Sequence, residues 1–153
     1  MDLILWRHAE AHEAAPGEDD MSRSLTPRGE RQAIRMAQWL ERQLPEGTRI
    51  LCSPAKRTEQ TAMALGRKYK LSSAITPQST ADMLLAAVQW PSSKNTVLVI
   101  GHQPTLGEAV AMVLGFQKPE CSVKKGAVWW LRSRLRHEGD QSILVTVQSP
   151  DML

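Results

Sequence analysis

The sequence predicts a three-layer α/β sandwich on a mostly parallel sheet, and three observations carry that prediction. Continuous apolar runs, Leu3-Ile4-Leu5-Trp6 and Thr96-Val97-Leu98-Val99-Ile100, have the composition of strands buried on both faces. Segments with helical apolar spacing fall between the strand-like runs, and that alternation is what builds a parallel sheet covered by helices. Two helices announce their starts with a hydroxyl followed by proline, at Thr26-Pro27 and Ser53-Pro54.

Taken in order, Leu3 to Trp6 is the first strand. Residues 10–23 are polar, with Pro16-Gly17 and Glu18-Asp19-Asp20, and read as an exposed loop. The helix opening at Thr26-Pro27 carries Ala33, Ile34, Ala37, Leu40 and Leu44 at helical spacing, and Pro45-Glu46-Gly47 stops it. Arg49-Ile50-Leu51-Cys52 is a second strand. The helix after Ser53-Pro54 presents Thr58, Ala62, Leu65 and Tyr69 on one face. Ala74-Ile75-Thr76 is a weak strand, and a short helix is expected from about Asp82 to Trp90. The strand at 96–100 ends in Gly101-His102, and a helix follows from Pro104 with Leu106, Val110, Val113 and Leu114 inward. Ala127 to Leu131 and Ser142 to Val147 pair as a hairpin around Glu138-Gly139-Asp140.

Composition bounds the rest. The 153 residues suit one domain, 1–153, able to bury a core without a disulfide or metal staple. With 42% hydrophobic and 23% charged residues the chain is neither disordered nor fibrous. Two cysteines make no disulfide framework, and no apolar run spans a membrane, so a cytoplasmic protein with reduced thiols is expected. A net charge of +3 favours an anionic partner without specifying nucleic acid. Arg132, Arg134 and Arg136 alternate as on the guarded edge of a sheet, and no aromatic interleaving supports base stacking.

Function in open α/β sheets gathers beyond the carboxyl ends of the strands. Here those ends carry Arg7-His8, the segment Ser53 to Arg57, and Gly101-His102. Each residue alone has an ordinary reading, a salt-bridge arginine or a core imidazole. Three strand ends delivering the same kinds of group suggest a phosphoryl site, because bidentate cations match its equatorial oxygens.

The pattern resembles a known family. Arg7-His8-Ala9-Glu10-Ala11 with Leu25-Thr26-Pro27-Arg28-Gly29-Glu30, then Ser53-Pro54-Ala55-Lys56-Arg57-Thr58, then Gly101-His102-Gln103-Pro104 resemble, in order, the signatures of the histidine phosphatase superfamily. The resemblance implies a phosphoglycerate-mutase-like fold. The short chain, with no large lid insertion, and the Arg-His-Ala form are similar to the SixA-type phosphohistidine phosphatase branch. It implies His8 as the nucleophile, Arg7 and Arg57 as phosphate clamps, His102 as a further donor, and Gln103 as a backbone donor at a helix start. No cofactor and no metal are implied. The implied partners are phosphate and a phosphohistidine-bearing protein, such as a phosphotransfer domain or phosphocarrier.

The sequence departs from the wider family at the general acid. Between Glu59 and Glu108 the one acidic residue is Asp82, and Gln78 stands where related chains often carry glutamate. Asp82 and Glu10 remain weak candidates for acid duty. An imidazole leaving group needs less protonation than an alkoxide, so the missing glutamate favours phosphohistidine. The alternatives are a small-molecule phosphomonoesterase on the same fold and a phospho-ligand binding module without turnover. Cys52 and Arg57 are one residue too close for a cysteine-phosphatase loop, and Cys52 reads as a buried strand residue. His8 to His12 is not on a helix, as a zincin motif requires, and His12 reads as a solvated loop residue.

Overall fold

The computed structural model describes residues 1–136 and 139–153. Its element order is β1 (Asp2–Arg7), α1 (Pro27–Gln43), β2 (Arg49–Cys52), α2 (Lys56–Met63), β3 (Lys70–Leu71), α3 (Ala81–Ala87), β4 (Val97–Gly101), α4 (Thr105–Leu114), β5 (Val128–Arg136) and β6 (Gly139–Gln148). The six strands form one sheet in the order β3-β2-β4-β1-β5-β6. The first four in that order are mutually parallel, while β5 runs antiparallel to β1 and β6 antiparallel to β5.

Alternation of side chains along each strand divides the core in two. Leu3, Leu5, Val97 and Val99 face α3 and α4, packing on Leu84, Val88, Leu106 and Val110. Ile4, Trp6, Leu98 and Ile100 face α1 and α2, packing on Met36, Leu40 and Ala62. Three layers result, as the alternating pattern requires. The adjacent Trp129 and Trp130 fall on opposite faces, one beside each cluster. Among the described residues no helix is long and apolar enough to cross a membrane.

This topology creates a crevice. The neighbours β1 and β4 leave the sheet toward helices on opposite faces, a topological switch point where the chain opens a gap between strand ends. Parallel register sets Arg7 beside Gly101. The next residues, His8 and His102, are therefore brought side by side at the mouth of that gap.

The α1 start is fitted closely to the β1 exit. Thr26 caps the helix by accepting from the Gly29 N–H at 2.9 Å, and its own N–H donates to the Glu10 carbonyl at 3.0 Å. A Cβ at position 29 would run into that same Glu10 carbonyl, so glycine is what lets the helix approach the strand exit.

Several expectations are corrected. Ile34 is 52% exposed and Met36 takes its place in the core. One residue past Ala33 the helix has turned by 100°, away from the sheet, whereas Met36 falls back onto the buried stripe. The α2 helix ends at Met63, with Leu65 packing from the turn beyond it and Tyr69 reaching back to the Glu59 carboxylate at 2.9 Å. The strand expected at Ala74-Thr76 is a single 3₁₀ turn over Ser73–Ile75, because the Ser72 hydroxyl accepts from the Ala74 N–H; the strand pairing with β2 is Lys70–Leu71. The helix expected to reach Trp90 ends at Ala87. The hairpin strands are longer than expected, and β5 lies inside the sheet between β1 and β6. Arg132 therefore guards no edge: it forms a two-pronged contact with Asp2 at 2.7 and 2.8 Å. Glu138, placed in the turn by sequence, lies outside the described residues.

Candidate active site

The site is assembled from residues that immediately follow β1, β2 and β4. Backbone hydrogen bonds tie these exits together: His8 N–H to Gly101 carbonyl at 3.1 Å, Ser53 N–H to Ile100 carbonyl at 3.1 Å, and Gly126 N–H to His8 carbonyl at 3.0 Å. His8 and His102 are buried, with ring centroids 5.4 Å apart. Arg57, on the first turn of α2, is 4% exposed and places one guanidinium nitrogen 3.4 Å from His102 Nδ1.

Hydrogen-bond chemistry determines the tautomer of each ring. His8 Nδ1 lies 2.7 Å from the Ala9 carbonyl oxygen, which can only accept, so Nδ1 carries the proton. The Nε2 lone pair is then free. For His102 the order is reversed. Arg57 can only donate, so His102 Nδ1 accepts and the proton on Nε2 is donated to Ser53 Oγ at 2.7 Å.

Burial pushes the His8 imidazole down to about 3, against the opposing Ala9 hydrogen bond and with further pressure from His102, Arg57 and Arg7. Burial likewise takes His102 to about 3, helped by Arg57 and opposed by Asp20. Both rings are neutral near pH 7. A depressed histidine pKa means that the folded state binds fewer protons than the unfolded one between the two values. Stability is therefore full above the ordinary value of 6.5 and is lost as pH falls toward about 3. Thermal melts without phosphate are expected to show stability falling between pH 6.5 and 5, before most carboxylates titrate, by up to about 1.4 kcal/mol per pH unit for each ring. The His102→Asn variant loses part of that slope; an unchanged slope contradicts the assignment.

The two arginines are held but not saturated. Arg7 donates through Nη1 to the Val123 carbonyl at 2.9 Å. Arg57 donates to the Asp20 carbonyl at 2.8 Å and to the Asp20 carboxylate at 3.1 Å. The buried side-chain nitrogens without a partner among the described residues are the Nε atoms of these same two arginines. Burial, and then the neighbouring Arg57, lower the pKa of Arg7, which unlike Arg57 has no ion-pair partner among the described residues. A tetrahedral oxyanion would supply both the missing acceptors and the missing charge.

Three supporting residues have roles that the sequence did not assign. Ser53 was expected to cap α2, but that helix begins at Lys56 and the Ser53 hydroxyl is bonded to His102. Thr61 Oγ1 accepts from the Ala9 N–H at 3.1 Å and donates to the Arg57 carbonyl at 2.8 Å. It thus fixes Ala9, the residue whose carbonyl orients His8. Asp20 belongs to a 3₁₀ turn inside the expected loop. Burial opposes its ionisation, but hydrogen bonds from Arg23 and Arg57 outweigh that and hold its carboxyl below the ordinary range. Thr61 was visible as the end of a helical Thr-x-x-Thr pair, while nothing in a polar loop distinguishes Asp20 from Asp19.

The remaining expected residues divide. The Gln103 side chain is engaged structurally, accepting from the Gly107 N–H at 2.7 Å and donating to the Cys121 carbonyl at 2.9 Å. Glu10 accepts the Thr26 hydroxyl at 2.7 Å and faces Arg28 at 3.8 Å, a carboxylate already committed to helix α1. Asp82 is exposed on the first turn of α3, without a side-chain hydrogen bond or ion pair among the described residues. Cys52 is fully buried and burial pushes its thiol up to about 12, as a strand residue rather than a nucleophile. His12 is exposed.

Comparison with known proteins identifies the family. The family model of the histidine phosphatase superfamily (branch 1) matches residues 3–81. The chain is 32% identical over 127 residues to the phosphohistidine phosphatase SixA of Escherichia coli, covering 78% of each chain. It is 30% identical over 134 residues to the SixA homolog of Haemophilus influenzae, covering 78% of this chain and 80% of that one. Among solved structures, the protein histidine phosphatase SixA complexed with tungstate superposes with a TM-score of 0.82 at 28% identity, covering 99% of both chains. With its signatures, fold and relatives in agreement, the chain belongs to the histidine phosphatase superfamily and is a phosphatase.

Proposed function

We propose that this phosphatase hydrolyses phosphohistidine on a protein, with a transient phosphohistidine on His8. The observation that carries the reading is the tautomer of His8: its Nδ1 proton is tied to the Ala9 carbonyl, leaving a neutral Nε2 lone pair near two arginines whose buried Nε atoms lack an acceptor among the described residues. Nε2 attacks phosphorus in line, the phosphorus–nitrogen bond to the substrate imidazole breaks, and that ring, protonated by solvent on its other nitrogen beforehand, leaves as neutral imidazole. Water then attacks the phosphorylated His8, releasing phosphate and restoring the ring. Arg7 and Arg57 hold the nonbridging oxygens through both steps. The incoming phosphoryl charge raises the pKa of His102, whose Nδ1 then protonates and turns from acceptor to donor. The backbone of Gln103, at the start of α4, adds a dipolar contribution.

The substrate class follows from the acid that is missing. Glu10 is committed to α1, Asp82 is an exposed helix residue, and Asp20 is held ionised by Arg23 and Arg57, so among the described residues no carboxyl group is poised to protonate an alkoxide. An imidazole departs without one. The similarity to proteins named for phosphohistidine phosphatase activity agrees with this. Phosphate release from a phosphohistidine peptide, assayed beside a panel of sugar and nucleotide monophosphates, tests the reading. Phosphohistidine is expected to be preferred by at least about 10²-fold in kcat/KM, the rate that general-acid help is worth to an ester. Equal or faster ester hydrolysis overturns it in favour of the phosphomonoesterase.

A further inference from the structure

The positive charge of the molecule is concentrated on one side of the site. Arg7 lines a cleft of about 350 Å³ together with Arg28, Lys124 and Lys125. A second cleft of about 250 Å³ continues from it, sharing Arg28 and adding Arg31 and Arg35. The three α1 arginines recur at i, i+3 and i+7 and so lie on one helix face. Glu10 and Asp151 are the acids lining the two clefts. Six of the nineteen basic residues thus meet two of the sixteen acidic ones, leaving the rest of the chain close to balance. The +3 of the chain is therefore a property of this track.

These cations are largely unspent. Lys124, Lys125, Arg28, Arg31 and Arg35 are exposed. Apart from a contact of 3.8 Å between Arg28 and Glu10, they form no ion pair among the described residues. The track is also continuous with the chemistry. Arg7 both belongs to the site and lines the first cleft, and it is held by the Val123 carbonyl, next in sequence to Lys124.

We infer that this track docks an acidic segment of the phosphohistidine-bearing protein, placing carboxylates along Lys124, Lys125 and the α1 arginines while the phosphoryl group enters beside Arg7. The inference rests on the phosphohistidine reading for its substrate, and it adds what selects one phosphohistidine protein over another. Charge complementarity favours carboxylates. A nucleic acid is disfavoured because no aromatic side chain lines either cleft to stack a base.

Two synthetic phosphohistidine peptides test it, one flanked by Glu and Asp, the other by Gln and Asn at the same positions. At low salt the wild-type protein is expected to show about tenfold higher kcat/KM on the acidic peptide, the sum of a few exposed ion pairs. That advantage should vanish near roughly 0.5 M salt. The triple variant R31E/K124E/K125E should erase or invert it while turning over the neutral peptide as wild type does. Equal rates on the two peptides, or a preference that survives the triple variant, overturn the proposal. A separate arm measures binding of a fluorescent unphosphorylated Glu-rich peptide against an oligothymidylate of equal charge. Binding of the acidic peptide, lost in the triple variant, supports the track even if neither phosphopeptide is hydrolysed, which would count against the phosphohistidine reading alone. Tighter binding of the oligonucleotide overturns the acidic-protein proposal.

Discussion

Replacing His8 by alanine is expected to lower phosphate release by at least about 10⁴-fold, because the proposed reaction loses its nucleophile rather than a helper. No neighbour can substitute. The other ring, His102, points its lone pair at Arg57 and its proton at Ser53. Since His8 is only 6% exposed, alanine also leaves a small cavity, so loss of activity must be separated from loss of fold. The His8→Asn variant does this: an amide N–H can still reach the Ala9 carbonyl while the Nε2 position is deleted. Both variants are expected to lose turnover and to carry no ³²P label after a quench that spares acid-labile bonds, with Asn retaining a near wild-type melt. Turnover within tenfold of wild type in either variant sinks the covalent mechanism.

The Arg57→Leu variant is expected to lower kcat/KM by about 10²–10³, the cost of removing a charged donor aimed at the transferring group. The same change should leave thermal stability equal or raised. Arg57 is buried with its Nε unpartnered, it presses on Arg7, and its counter-charge Asp20 is half exposed. Relieving that cationic crowding offsets the two hydrogen bonds lost to the 3₁₀ turn. The rise in melting temperature that phosphate gives the wild type should also disappear. A variant that melts many degrees lower yet retains activity would mean that Arg57 is a structural residue. Activity lost at constant stability is the signature of a group kept for its ligand.

Much of this was legible along the chain because the determinants are local. The apolar runs at 3–6 and 96–100, and the glycine, hydroxyl and proline punctuation, depend on backbone and burial rules that hold in any context. Arg7, His8, Arg57 and His102 stand directly after predicted strands, and a parallel sheet presents its strand ends together. Where the reading slipped, the deciding contact came from elsewhere in the fold. Ile34 and Met36 both fit a helical stripe, and the sheet chose between them. Arg132 looked like an edge charge until Asp2, from the other end of the chain, paired with it.

By itself the sequence determined the layered α/β class, the four residues proposed to handle phosphate, and that Asp82 is the one acidic residue between Glu59 and Glu108. Only the tertiary structure decided which nitrogen of each histidine is free, because that depends on an acceptor at Ala9 and a donor at Arg57. It also recruited Ser53, Thr61 and Asp20, whose roles exist only once the β1, β2 and β4 exits meet. The basic track, too, joins α1 to residues 124–125 across some ninety positions of chain. Side-chain type is written locally, whereas protonation, orientation and summed charge arise from neighbours that folding alone brings within reach.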